Sequence, residues 1–181
     1  LADQQLERLL SDSGCCGLEL PVRRIARVLE GGTPDVLLAD LENAWVEWML
    51  AVLDRNQTPV LYTSRGELGF GEGQAAERRR VCFGNALAQV TARLVAALAP
   101  QLGYLISKGG ITTGTLLADG LGLGTVLLEG QLLPGLSMVR PMPSEGIDGV
   151  NGLPVVTFPG NLGDAETLAK AWRLMEHKET E

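Results

Sequence analysis

The sequence predicts an α/β fold, a three-layer Rossmann-like domain on a mainly parallel sheet, and three observations carry that expectation. Helix-period and strand-like segments alternate along most of the 181 residues, two strand-like runs end in glycine-rich turns, and each of those turns opens a new helical pattern. Glycine turns at the carboxyl ends of parallel strands are where such folds bind ligands.

The first residues, "LADQQLERLLSDSG", form an amphipathic helical pattern with Leu6, Leu9 and Leu10 on one face, so the chain opens inside a fold and an element upstream of Leu1 is expected. "CCGLEL", Cys15 to Leu20, reads as a strand, and Pro21 opens a short helix marked by Ile25, Val28 and Leu29 and stopped at Gly31. "DVLLAD" is expected as a buried strand. Trp45, Trp48, Met49 and Val52 then recur at helical spacing until Asn56 to Pro59 interrupts them, and "PVLYTS" supplies a strand over Val60 to Ser64. The polar, glycine-rich "RGELGFGEGQAAERRR" predicts a loop leading into a long helix, Ala75 to Leu98, whose stripe is Phe83, Leu87, Val90, Leu94 and Leu98. Pro100 and Gly103 end it. "YLISK" is the next strand, followed by a short helix through Leu116 to Leu121, and short strands are expected around Gly130, Pro134 and Gly135. "LPVVTFPGN" is a buried strand, and Asp164 is expected to cap a last helix with Leu168, Trp172 and Met175 on one side.

Length and composition bound the function. With 45% apolar and 20% charged residues, the chain has the make-up of a soluble globular domain, and residues 1–181 are expected to form one domain. No run reaches the roughly 18 uninterrupted apolar residues of a membrane span, and no cationic segment precedes an apolar one as in a signal peptide, which predicts a cytoplasmic protein without a membrane partner. Cys15, Cys16 and Cys82 make no CxxC pair and read as small buried apolar residues. His177, the single histidine, lies in the polar tail "EHKETE", so neither a histidine triad nor a zinc centre is expected, and no protein metal site is assigned. A net charge of −7 argues against nucleic acid as a partner, so any anionic ligand has to be held locally.

The local anion signals are the two glycine turns, Lys108 Gly109 Gly110 Ile111 Thr112 Thr113 Gly114 and Pro159 Gly160 Asn161 Leu162 Gly163 Asp164. A turn without side chains lets backbone N–H groups approach an anion, and the free N–H groups of a following helix carry roughly half a positive charge. Lys108 is the first lysine of the chain; it stands directly before Gly109 and Gly110, with Thr112 and Thr113 expected to cap the next helix. Gly110 is expected to matter through close backbone approach and a positive φ. Other glycine patterns are discounted. There is no G-x-x-x-x-G-K-[ST]; "GLGLG", Gly120 to Gly124, follows a helix and reads as a helix stop; and "GELGFGEG", Gly66 to Gly73, carries Glu67 and Glu72, which repel phosphate. The cofactor-binding residues predicted are therefore Lys108, Gly109, Gly110, Ile111, Thr112, Thr113, Gly160, Asn161 and Gly163.

Three ordered segments, "SKGGITTGTLLADGLGL", "GQLLPGLSMVR" and "LPVVTFPGNLGD", resemble the nucleotide-binding C-terminal domain of the four-carbon acid sugar kinase family. The resemblance implies an α/β fold, ATP with Mg²⁺, and transfer of the γ-phosphoryl group to a hydroxyl of a small acid sugar such as a tetronate. It also implies a missing partner, an N-terminal domain of the same polypeptide that holds the sugar, and a missing Gly-Ser turn just before Leu1. By the match, Gly109 to Thr112 take the place of the family's phosphate-side turn and Gly160 to Gly163 that of its second glycine turn. Many members are acidic where this chain has Ile111, a side chain that cannot coordinate magnesium.

No catalytic base is assigned, with Asp119, Glu129, Asp148 and Asp164 offering only acidity. Two functions follow. One is the ATP-binding half of an acid sugar kinase, inactive without its sugar-binding half. The other is a non-catalytic nucleotide- or anion-binding or assembly module. Under either reading a homodimer is among the expected partners.

Overall fold

In the computed structural model of the protein, which describes residues 1–64 and 68–176, the chain divides into two compact units, Ser13–Val90 and Leu1–Asp12 with Thr91–Glu181. Gly66, Glu67 and His177 lie outside the described residues. The chain is α/β as its alternating pattern predicts.

The Ser13–Val90 unit is built on two parallel strands, β1 (Cys15–Leu20) and β2 (Thr58–Thr63), in register from Cys15 opposite Thr58 to Leu20 opposite Thr63. Between them run α2 (Val22–Leu29) and α3 (Pro34–Leu53). Pro21 at the start of α2 has no side chain to offer its free N–H groups, and Ser64, just past β2, supplies the acceptor: Val22 N donates to Ser64 Oγ at 3.0 Å.

"DVLLAD" is not a strand. It forms the first turns of α3, where Pro34 stands in the first turn and Leu38 falls on the same buried stripe as Trp45, Met49 and Val52. Val36 and Leu37, which made the segment look like a buried run, are exposed. Of the cysteines, Cys15 is buried as expected, whereas Cys82 is exposed on α4 (Gln74–Leu98). That helix has the length and apolar content of a membrane span, yet Ala92, Leu94, Val95 and Leu98 in its last turns are buried in the protein.

The other unit contains α1 (Ala2–Leu10), the end of α4, and a four-stranded sheet of β3 (Leu105–Lys108), β4 (Val126–Leu133), β5 (Leu136–Pro141) and β6 (Val155–Phe158) in the order β3-β6-β5-β4. Its first pair is parallel and the other two are antiparallel. β4 and β5 form a hairpin that turns at Pro134 and Gly135, the proline fixing one φ and the glycine taking +81°, as a tight turn with Pro then Gly demands. A core of Val95, Ala99, Leu116, Leu121, Leu123, Val139, Val150, Leu153 and Val155 fills this unit. After β3 the chain enters α5 (Gly110–Thr115) and a π-helical turn, Leu116–Gly120; after β6 it enters α6 (Thr167–Glu176), which buries Leu168, Trp172 and Met175. Gly120 ends the π turn against α4, where a Cβ would stand 2.8 Å from the Ala92 carbonyl oxygen.

Candidate functional site

The pairing of β3 with β6 places Lys108 opposite Phe158, so both glycine turns leave from neighbouring carboxyl ends. Gly109 N donates to Phe158 O at 2.9 Å, carrying the ladder one residue past the strands. Gly109 then takes φ +105° and ψ +132°, a conformation closed to residues with a Cβ, and the chain swings into α5. Here the positive φ belongs to Gly109 and not to Gly110, which is already helical.

Lys108 spans the two turns. Its Nζ donates to Gly160 O at 2.8 Å and Pro159 O at 3.3 Å and lies 4.4 Å from the centre of the Phe158 ring. The carbonyls and the ring face suit a cation, while partial burial holds the amine below the usual lysine pKa. An ammonium carries three donors, and two of them go to these carbonyls.

Gly110 and Ile111 are exposed in the first turn of α5, with Ile111 76% accessible, and Thr112 is half-buried beside them. First-turn N–H groups have no carbonyl of their own helix to bond. Thr113 points the other way. Its hydroxyl is buried 2.8 Å from Ser107 Oγ and donates to Ser107 O at 3.3 Å. Neither threonine caps the helix, because the N-cap position is occupied by Gly109 and a hydroxyl caps only from there. Gly160 and Asn161 are exposed on the second turn. A Cβ placed at Gly109, Gly110 or Gly160 meets nothing within 4 Å, so the space above both turns is clear.

Gly163 is different, with φ +78° and a Cβ position only 2.3 Å from Thr167 Oγ1. Thr167 is needed there. Its hydroxyl donates to Asp164 Oδ1 at 2.8 Å and accepts from Asp164 N at 2.9 Å, while Glu166 N donates to the same carboxylate at 3.0 Å. Asp164 thus caps the approach to α6, and the Thr167 and Glu166 donors hold its carboxyl below the usual aspartate pKa. Glu129 is engaged by Arg140 at 2.5 Å, Asp119 lies within the π turn, and Asp148 is exposed in the loop before β6.

One residue that the sequence reading passes over reaches this turn. Gln5 of α1 is fully buried and donates from Nε2 to Leu162 O at 3.0 Å and Asp164 O at 2.7 Å. The available signal was a polar side chain one helical turn before Leu9, on the face α1 buries. A cleft of about 350 Å³ lies elsewhere, between Arg23, Arg27 and Phe70 in the Ser13–Val90 unit. Backbone turns that take phosphate work as open surfaces, so cleft volume does not locate them.

The profile of the nucleotide-binding C-terminal domain family matches residues 1–168. Two crystal structures of a Bordetella bronchiseptica protein, described as a domain of unknown function (DUF1537) with bound citrate and as a domain-swapped dimer, superimpose with TM-scores of 0.64 and 0.66 at 19% identity over 96% of this chain. A Haemophilus influenzae DUF1537 protein gives 0.64 at 15% identity, again over 96%. Likeness at such identities is one of fold. The chain spans 36 to 38% of the length of these structures, and no curated protein matches it in sequence. With a family match over residues 1–168, the chain belongs to the family of nucleotide-binding C-terminal domains, as its sequence resemblance implied.

Proposed function

We propose that this chain is the ATP-binding part of a kinase that phosphorylates a hydroxyl of a small, four-carbon acid sugar. The observation that carries the reading is Lys108, fixed across two open glycine turns at adjacent strand ends. Phosphoryl transfer asks a protein mainly for positioning and neutralisation of charge. The Gly110, Ile111 and Thr112 N–H groups and the Lys108 ammonium would hold the phosphates, Gly160 and Asn161 would border them, and Gly163 would shape the turn. The residues fit such a group, since no side chain stands over Gly109, Gly110 or Gly160. Mg²⁺ would arrive on the phosphate oxygens and keep its waters, as it commonly does.

The acid sugar and the base that takes its proton belong, in this reading, to an N-terminal domain of the same cytoplasmic polypeptide. The fold relatives being nearly three times as long supports that division, and the domain-swapped dimer of the Bordetella protein supports a homodimer. Nucleic acid is not a partner at a net charge of −7.

Titration calorimetry with ATP and Mg²⁺ tests the reading, with saturable heat expected. No heat at millimolar ATP would overturn it. Sugar-dependent ADP release is expected only from a polypeptide that includes the sugar-binding domain, and turnover of a four-carbon acid sugar by residues 1–181 alone would place the acceptor site within them.

A further inference from the structure

Gln5 and Arg8 of α1, and Asp12 just past its end, all meet the stretch from the second glycine turn through α6. Arg8 Nε lies 2.5 Å from a Glu166 carboxylate oxygen and Arg173 lies 3.7 Å from Asp12, both pairs substantially exposed and so of small energetic worth. Gln5 differs in kind. It is wholly buried, and both of its amide N–H groups go to backbone carbonyls of the turn, Leu162 O and Asp164 O.

Those carbonyls can only accept, which fixes the amide's orientation and leaves Oε1 buried with no partner among the described residues. An orphaned buried acceptor is a cost that an apolar side chain of the same size would avoid. The return lies in the two donations. An apolar residue would take the side-chain donor from Leu162 O and leave Asp164 O with only the longer bond from Thr167 N at 3.3 Å, and the path from Pro159 to Asp164 would lose its anchor to α1. That path sets where Gly160 O stands, and Gly160 O is the acceptor that holds Lys108.

We propose that Gln5 is a positioning residue for the nucleotide site: it touches no ligand, but it fixes the second glycine turn and, through Gly160, the Lys108 ammonium. The inference rests on the nucleotide-binding reading above.

Two near-isosteric variants of the whole chain test it. Gln5→Met cannot donate at any pH. Gln5→Glu cannot donate when ionised but regains one donor when protonated. The charged groups around the introduced carboxyl are Arg8 on α1 and Asp164 and Glu166 before α6, with Asp12 and Arg173 a turn further along. Burial and two facing carbonyls raise the pKa of the introduced carboxyl, so the variant's folded form is favoured at low pH and loses that support as pH rises.

Without nucleotide, amide exchange over Leu162 to Thr167 is expected to quicken in Gln5→Met at all pH and in Gln5→Glu at neutral pH, while β6 stays protected. With ATP and Mg²⁺, Gln5→Met is expected to bind about tenfold more weakly, the loss of roughly one hydrogen bond's worth of positioning. Gln5→Glu is expected to bind as weakly at pH 8 and to close most of the gap to the parent, measured at the same pH, near pH 5. Parent-like affinity in folded Gln5→Met, or weak binding by Gln5→Glu that ignores pH, would overturn the inference. A parent that binds no ATP overturns the nucleotide reading instead, and the exchange rates then decide by themselves whether Gln5 holds the turn.

Discussion

The two glycine turns use glycine for opposite reasons. At the first, Gly109 is required by its backbone, φ +105°, and the space around it and Gly110 is empty. At the second, Gly160 is equally open, but Gly163 combines φ +78° with a Thr167 side chain that fills the space a Cβ would need. The first turn is tied back to the strand beneath it through the Gly109 N–H and the Thr113 hydroxyl. The second is tied to α1 and α6 through Gln5, Asp164 and Thr167. Glycine in an empty place leaves room for a ligand, whereas glycine in a crowded one serves the fold. A substitution can therefore separate the two roles.

Gly163→Val is expected to have the largest effect. A left-handed φ costs about 1 to 2 kcal/mol for a residue with a Cβ, and overpacking against Thr167 adds about 1 to 3, so a stability loss of about 2 to 5 kcal/mol should appear in urea unfolding. Wild-type stability would mean that the second turn is as open as the first. Lys108→Ala comes next and acts on the ligand: ATP affinity should fall by about 1 to 3 kcal/mol in calorimetry, as for a charge-assisted hydrogen bond, with a smaller change in unfolding.

Lys108 also gives the comparison a pH signature. Since burial lowers its pKa, affinity should decline as alkaline pH neutralises the amine, and Lys108→Arg should flatten that decline. A decline of the same shape in both proteins would put the titrating group elsewhere.

Gly110→Val and Gly160→Val sharpen the contrast with Gly163. Both positions are open and neither has a positive φ, so the unfolding free energy should change by no more than about 0.5 kcal/mol while ATP binding is lost to the added bulk. If either variant binds ATP like the parent, its turn does not face phosphate. The smallest effect is expected from Asp164→Asn. A carboxyl with a lowered pKa contributes stability that is present above the unfolded pKa, about 4, and fades as pH falls through the folded value, so the variant should show a flatter acid limb in thermal unfolding between about pH 5 and 2.

Much of this was legible in the residues because the local pattern and the packing agree. "CCGLEL" is β1 to the residue, and the spacing of Leu168, Trp172 and Met175 marks the buried side of α6. "DVLLAD" misled because a short apolar run fits a buried strand and a helix start equally well, and what decides is Pro34 and a stripe that continues for four more turns. Thr112 and Thr113 look like caps by composition, but capping is a matter of position, and the sharp turn at Gly109 had already taken that position. Gln5 was the least legible. Its partners are 157 and 159 residues away and are backbone carbonyls, so no side chain in the sequence announces them.

Lysine is ordinarily an expensive residue with which to grip a ligand, because ordering its long stem forfeits rotamer freedom worth about 1.5 to 2 kcal/mol. Lys108 gives up much of that freedom during folding, when its ammonium settles over the Phe158 ring and meets the Gly160 carbonyl. An arriving polyanion finds the cation already aimed and loses little further entropy in fixing it. The same tether restrains reach, so the site should favour anions that come to the turns over those that require the lysine to extend to them.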